Sequence, residues 1–552
     1  MKDLSRRDLL QALGALSAGA LLPGCPSDPA PSDAATAMDS AAPTDATSDA
    51  QDAAPDRGMP PPPRHAFIHG VASGDPTPEA VILWTRVTPL PDMPAPGSVE
   101  VTWELSTTAD FMTMTAQGMF RTDPSRDFTV KVDAMGLSPA TTYYYRFRAL
   151  GFTSPVGRTR TAPRGAVGRL RFAVVSCSSL AHGFFHAYRA VASRADLDAV
   201  LHLGDYMYEY ANDRYGSVRT YDPPTECVSL EDYRRRYAWY RRDADLRAVH
   251  QQHPMIAIWD DHEFANNAWA DGAENHMPMT EGEWAQRRAA AERAYREWLP
   301  IREQPDGRIW RRLRYGDLAE LVMLDTRVWG RNMQAVVDGG PSMDAMRTLL
   351  GADQERFLTE AVTTSTSRWK LLGQQVIMGQ ISLFYNPDQW DGYPQARQRF
   401  FDVLRGMNAR DVVVLTGDVH ASVAFELAQD PRDRAAYDPM TGRGSLAVEL
   451  VVPAISSPGL PAPVAALVPE ILRTSPHIKY AELTRRGYVV LDITPERVQG
   501  AYYHFEDITL RAPQTEAFAT AFSVASGTSH LVQDMAAAAP LAMAPALAPG
   551  EP

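Results

Sequence analysis

Four short apolar runs in this chain each stop at a cluster of ligand-type side chains, always at the C-terminal end of the run. Residues 170–175 lead into Ser176-Cys177-Ser178, and 199–201 lead through His202-Leu203 into Gly204-Asp205-Tyr206-Met207-Tyr208-Glu209-Tyr210. Residues 255–259 lead into Asp260-Asp261-His262-Glu263 with Asn266-Asn267, and 411–416 lead into Gly417-Asp418-Val419-His420. Short apolar runs bounded by turn residues read as buried strands, and open α/β sheets carry their chemistry beyond the carboxyl ends of such strands. One Gly-Asp after a strand is ordinarily a turn. Four such ends in order demand a fold that gathers them at one edge.

The donors sort into two sets. The Asp205 carboxylate can bridge two cations, and Tyr208, three residues on, can bind one of them as a phenolate, a hard anion that Fe(III) favours. Cys177 stands at a strand end, where a thiolate serves as a metal ligand. A free cysteine is otherwise a small buried hydrophobe, and the rival reading, a nucleophile, lacks a Cys/His signature. Asp418 and His420 point the same way if the backbone stays extended. Cys177, Tyr208 and His420 with Asp205 therefore suit a trivalent or borderline transition ion, iron first. Asp205 again, Asp261 or Asn266, and Asp418 form an all-oxygen set, which favours Ca, Mg or Mn over Zn. Acidic capping of a helix N-terminus accounts for at least one acid of the 260–263 cluster. Two ions ~3.5–4 Å apart on a shared carboxylate form the clamp used in phosphoryl transfer, where a metal-activated hydroxide attacks phosphorus.

Bulk properties narrow the class. A chain of 552 residues, 45% apolar and 22% charged, is long enough for a large core and more than one domain. Its net charge of -13 leaves no basic surplus for nucleic-acid phosphates, although bound cations can still attract a small phosphorylated substrate. Three scattered cysteines, Cys25, Cys177 and Cys227, make no disulfide framework.

The N-terminus reads as an address. Ser5-Arg6-Arg7-Asp8-Leu9-Leu10 precedes an uncharged apolar run over 12–22, a signal-peptide layout over 1–25 whose paired arginines resemble a twin-arginine (Tat) signal. Leu22-Pro23-Gly24-Cys25 resembles a lipoprotein cleavage box, with Cys25 as the lipid-bearing residue and Pro23 where a small residue is usual. Residues 26–64 are mostly Ala, Pro, Ser, Thr and Asp with no aromatic, too apolar-poor to offset ordering entropy, and read as a disordered tether. Over 65–165, short alternating segments such as 80–86, 99–105 and 142–147 with turn residues between them suggest a β-sandwich of fibronectin type III kind. The main domain is expected over 168–532, and the Ala/Pro tail over 533–552 reads as disordered.

Taken together, Ser176-Cys177, the Gly204 to Tyr210 stretch, Trp259-Asp260-Asp261-His262-Glu263 with Asn266-Asn267, and Gly417-Asp418-Val419-His420-Ala421-Ser422 resemble PhoD-type alkaline phosphatases of the metallophosphoesterase superfamily. Leu324-Asp325-Thr326-Arg327, and His477-Ile478-Lys479-Tyr480 before Arg485-Arg486-Gly487-Tyr488, agree with the resemblance. It covers about 65–522 and includes the Tat signal. It implies a small β domain followed by a four-layer αββα domain, iron with calcium as metals (Mg, Mn or Zn as substitutes), and hydrolysis of phosphomonoesters and phosphodiesters at alkaline pH outside the cytoplasm. The substrate is then a small or polymeric phosphoester. The Tat translocase is the export partner, and the location is periplasmic or anchored at the cell surface. The family's paired asparagines favour Asn266 in the second set, whereas its place after the strand favours Asp261. Arg287-Arg288 resembles the stretch that supplies a phosphate-contacting arginine, with Arg288 preferred and Arg287 the alternative; Arg288, Asp205 and His420 form the expected catalytic group. Two competing readings are a dedicated phosphodiesterase of phospholipase D-like activity and a non-catalytic surface lipoprotein. The complete set Asp205, Tyr208, Asp418 and His420 argues against the second.

Overall fold

The structure, a computed structural model, describes residues 64–90, 97–335, 340–381, 385–406 and 409–550. The signal over 1–25, Cys25 and all but the last residue of the 26–64 tether lie outside the described residues.

The central runs form strands as their apolar continuity requires, since strands covered on both faces carry apolar residues at every position. Leu170–Val175, Ala199–His202 and Pro254–Ala257 pair in parallel, side by side, in a ten-stranded sheet. Its order is Leu531–Asp534, Ala517–Ala525, Arg497–Phe505, Arg486–Ile493, Leu170–Val175, Ala199–His202, Pro254–Ala257, Val71–Gly74, Ala80–Arg86, Thr129–Met135. Val412–Thr416 lies in a second sheet of seven strands, between Trp369–Gln374 and Ser445–Val451 and parallel to both.

Alternation along the second sheet sets the layers. Leu371, Val413 and Leu415 enter the core shared with Phe172, Val174 and Leu201 of the first sheet. Leu372, Val412 and Val414 face the other way, onto Leu358 and Val362 of helix Gly351–Thr364 and Phe401 and Leu404 of helix Pro394–Gly406. Phe172 meets Tyr315 edge-on across the two sheets at 5.0 Å. Tyr188 and Val191 of helix His186–Ala192, with Leu246 and Val249 of helix Ala244–Gln252, cover the outer side of the first sheet. The result is helix, sheet, sheet, helix. Each fully buried Leu, Val or Phe in it stabilises the fold by about 1.5–3 kcal/mol before entropy is counted.

Two differences from the sequence reading stand out. The N-terminal β region does contain two layers, with Val81, Leu83 and Val130 of one facing Val101, Leu105, Tyr145 and Phe147 of the other. Its first layer is not separate, however: Ser73 pairs with Pro254, so Val71–Gly74, Ala80–Arg86 and Thr129–Met135 prolong the catalytic sheet. An open edge at Pro254–Ala257 would leave backbone groups unpaired, and the N-terminal strands cover it. The boundary expected near 165 is thus bridged by a common sheet.

The tail over 533–552 was expected to be disordered, and the structure corrects this for residues to 550. The Leu541 N–H donates to Asp196 Oδ2 at 3.0 Å, the Tyr144 hydroxyl to the Ala546 carbonyl at 2.7 Å, and the Ala548 N–H to Gln252 Oε1 at 2.8 Å. Composition reports only that such a segment builds no core of its own. Polar side chains of the folded body satisfy its backbone instead. Among the described residues, no helix is long and apolar enough to cross a membrane.

Candidate metal centre

Adjacent parallel strands bring the turns after residues 175, 202 and 257 to one edge, and the turn after Thr416 meets them from the second sheet. Tight turns aim the side chains. Cys177, Asp205, Asp418 and His420 all adopt positive φ, between 54° and 63°, a conformation that costs on the order of 1 kcal/mol or more for such residues and collects at functional sites. Gly204, at φ 107°, permits the close approach of two turns, because a Cβ there would lie 2.4 Å from the Asp260 Cβ. The Cys177 N–H donates to the Gly204 carbonyl at 3.0 Å, and the Ser178 N–H to the Asp205 carbonyl at 2.9 Å, which locks the first two turns together.

One cluster comprises Cys177, Asp205 and His420, whose donor atoms lie within 4.8 Å of one another. The Tyr208 hydroxyl joins it: it donates to Asp205 Oδ2 at 2.9 Å, lies 3.1 Å from His420 Nε2, and accepts from the Ser457 hydroxyl at 2.6 Å. His420 Nδ1 sits 3.0 Å from the Pro458 carbonyl. That contact assigns the hydrogen to Nδ1 and leaves Nε2, with its lone pair, as the metal-ligating atom. Burial, then the charge on Asp205, pushes both the Cys177 thiol and the Tyr208 phenol well above their ordinary values.

A second cluster joins Asp260, Asp261 and Asp418, and a third joins Asp205, Asp261 and His262. Asp261 Oδ2 accepts the Asn267 N–H at 2.6 Å. Asp261 is grouped with the other carboxylates; the Asn266 amide Nδ2 donates to Glu274 Oε2 at 3.0 Å, a bond that does not engage its Oδ1. Burial and neighbouring carboxylates push Asp260 and Asp261 up and Asp418 to about 7, against the opposing pull of Arg327. Asp205 behaves oppositely. Burial pushes it up, but His262, His420 and the Tyr208 hydroxyl outweigh burial and hold it well below the usual carboxylate range. Asp260 Oδ2 is buried and accepts no hydrogen bond, and Asp261 Oδ1 has only the Arg327 guanidinium at 3.3 Å. Buried carboxylate oxygens without donors are costly, and a bound cation removes that cost. The donors thus fit metal ions: sulfur, phenol and imidazole on one side, oxygen on the other.

Several residues here carried no role in the sequence reading. Arg327, completely buried, pairs with Asp260, with Asp418 at 2.5 Å, with Asp388 at 2.7 Å and with Asp261 at 3.3 Å. Its signal was the Leu324-Asp325-Thr326-Arg327 stretch after a strand; Asp388 had none. The Glu263 carboxylate accepts three backbone N–H groups, from Asp205 at 3.0 Å, Tyr206 at 2.6 Å and Asp260 at 2.8 Å. His262 Nδ1 lies 2.8 Å from Glu209 Oε2, and its ring centroid is 4.1 Å from that of Tyr208. Burial pushes His262 down, but Glu209, Asp261 and Asp205 outweigh it and raise it well above its ordinary value.

The paired arginines lie apart from these clusters. Arg287 is buried and fully engaged, with the Tyr233 hydroxyl at 3.1 Å and with Glu281 and Glu226 each at 2.8 Å. Arg288 is partly exposed and holds Glu292 at 2.8 Å and the Ala270 carbonyl at 3.2 Å. Among the described contacts, neither guanidinium touches Asp205, Asp261, Asp418 or His420.

Comparison with known proteins places this arrangement. The sequence model of the PhoD-like phosphatase matches residues 172–502, and that of the PhoD-like phosphatase N-terminal domain matches 52–163. Alkaline phosphatase D of Bacillus subtilis (strain 168) is 39% identical over 464 residues, which span 79% of this chain and 77% of that protein. A solved structure of PhoD superposes with a TM-score of 0.79 at 36% identity, covering 87% of this chain and 94% of that one. Because the match takes in both the strand-end turns and the β layers before them, the chain belongs to the PhoD-like phosphatase family and is a hydrolase of phosphoric ester bonds.

Proposed function

We propose that this protein is an exported, metal-dependent phosphatase that hydrolyses phosphomonoesters and phosphodiesters. The observation that carries the reading is the sharing of Asp205 between two donor clusters, one with Cys177 and His420 and one with Asp261 and His262, while Asp261 also joins Asp418. Cys177, Tyr208, His420 and Asp205 would hold iron, and Asp205, Asp261 and Asp418 would hold calcium. The bound pair would supply Lewis acidity toward the phosphoryl oxygens and activated water for attack on phosphorus.

The chain's own residues do the rest. Tyr208 and Ser457 orient the shared carboxylate through a continuous hydrogen-bond chain. Glu209 holds His262 through Nδ1, which would leave Nε2 to deliver a proton to a departing alkoxide. Arg288 is the candidate contact to phosphate, where a guanidinium fork suits two oxygens. The paired arginines at 6 and 7 support Tat export, and Leu22-Pro23-Gly24-Cys25 supports a lipid anchor that leaves the enzyme at the cell surface.

The test is hydrolysis of p-nitrophenyl phosphate and bis-p-nitrophenyl phosphate, before and after chelation. Turnover of both esters, lost on chelation and restored by iron with calcium, is expected. Undiminished turnover after the metals are removed would sink the reading.

A further inference from the structure

The two halves of the centre differ in one respect that chemistry of the donors alone does not convey. Among the described contacts, no guanidinium pairs with the side chains of Cys177, Tyr208 or His420. The oxygen-rich half instead encloses Arg327, which follows strand Ala319–Met323 and is turned inward by the bond from its own N–H to Asp325 Oδ1 at 2.8 Å. Its guanidinium meets Asp260, Asp261 and Asp418. Its remaining partner, Asp388, is matched by a second buried guanidinium, Arg331, at 2.5 Å. Three carboxylates of that half therefore share one guanidinium, which takes one unit of positive charge into their midst.

We propose that Arg327 sets the charge of the cation accepted by Asp261 and Asp418, making that half selective for a divalent ion over a trivalent one. The attraction between a site and an ion scales with the product of their charges. Each added negative charge therefore favours a trivalent ion over a divalent ion of similar size. A buried guanidinium keeps its charge at any working pH and cannot leave, so it is a fixed subtraction from the field. Arg327 is a specificity-determining residue here and not a catalytic one. The inference rests on the two-cation reading above.

The experiment uses the full protein with its transition ion in place and the oxygen-rich half emptied with a calcium-selective chelator. Ca2+ and Tb3+ are titrated against each other, with sensitised Tb3+ luminescence as the readout. Arg327→Met should raise the Tb3+/Ca2+ affinity ratio on the order of a hundredfold, and Arg327→Lys, which keeps the charge, should leave it within about threefold. Asp388→Asn removes one negative charge nearby and should lower the ratio about tenfold or more; it serves if Arg327→Met does not fold. An unchanged ratio in Arg327→Met or in Asp388→Asn, or a Lys variant that shifts as far as the Met variant, overturns the proposal. Wild-type protein that binds neither ion overturns the two-cation reading itself, and this inference with it.

Discussion

Glu263 holds Asp205 by its backbone: the Asp205 N–H donates to Glu263 Oε2 at 3.0 Å. The same carboxylate takes the N–H groups of Tyr206 and Asp260, so one buried side chain ties the turn after Ala199–His202 to the turn after Pro254–Ala257. Glutamine has one acceptor oxygen where the site needs two. Glu263→Gln should therefore lower metal occupancy and cut turnover at least about tenfold, with about 2 kcal/mol lost from stability. Metal content and melting temperature on one sample check this; full metal occupancy at normal turnover would contradict it.

Asp205 is the shared donor, so its loss should be felt in both halves. Asp205→Asn is expected to reduce turnover of both esters at least about a hundredfold and to lower iron and calcium together. Elemental analysis beside the rate measurement decides it. Retention of both metals would mean that Asp205 does not bridge.

Tyr208 and Cys177 predict a colour. The iron-loaded protein should show a visible phenolate-to-Fe(III) band that Tyr208→Phe abolishes. Cys177→Ser should weaken iron retention far more than folding. Absorption spectra with melting curves check both, and a band that survives in Tyr208→Phe would remove the phenolate from the iron.

Arg287 and Arg288 should separate cleanly. Arg287 is buried against Glu226 and Glu281, and truncating one partner of a buried ion pair costs about 3–5 kcal/mol. Arg287→Ala should thus unfold at lower temperature. Arg288→Ala should keep its melting temperature and raise KM about tenfold. An unchanged KM would discard Arg288 as the phosphate contact.

Acid sensitivity should come in part from buried histidines outside the donor clusters. Burial holds His253 down to about 3 and His477 and His504 down to about 4, against about 6.5 in an unfolded chain. The unfolded state then takes up protons first. The stability these groups contribute is full above about pH 6.5 and is lost as the pH falls toward 4. His253→Gln, which can still donate to the Val191 carbonyl as Nε2 does at 3.1 Å, should flatten the fall in melting temperature between pH 7 and pH 5. An unaltered slope would show that His253 already carries a proton in the fold.

How much of this was written in the chain depends on how local the information is. The strands expected at 170–175, 199–201, 255–259 and 411–416 lie within two residues of those that form, because apolar continuity and a terminal turn are properties of neighbours in sequence. The donor types at their ends were legible for the same reason, and so was the need for a fold that gathers them. Which strand stands beside which, and that the N-terminal strands prolong the catalytic sheet, is a matter of backbone edges finding partners far along the chain. Arg327 reaches Asp260, Asp388 and Asp418, each more than fifty residues away. No periodicity or spacing encodes that contact. Asp261 meets Asp205, Asp260 and Asp418 only in the closed fold, and the tail is ordered because Asp196, Gln252 and Tyr144 supply its hydrogen bonds. Sequence determined the strands and the chemistry at their ends. Tertiary structure decided the charge balance and the choice among neighbouring donors, because those depend on burial and on partners that only the closed fold brings within a few ångströms.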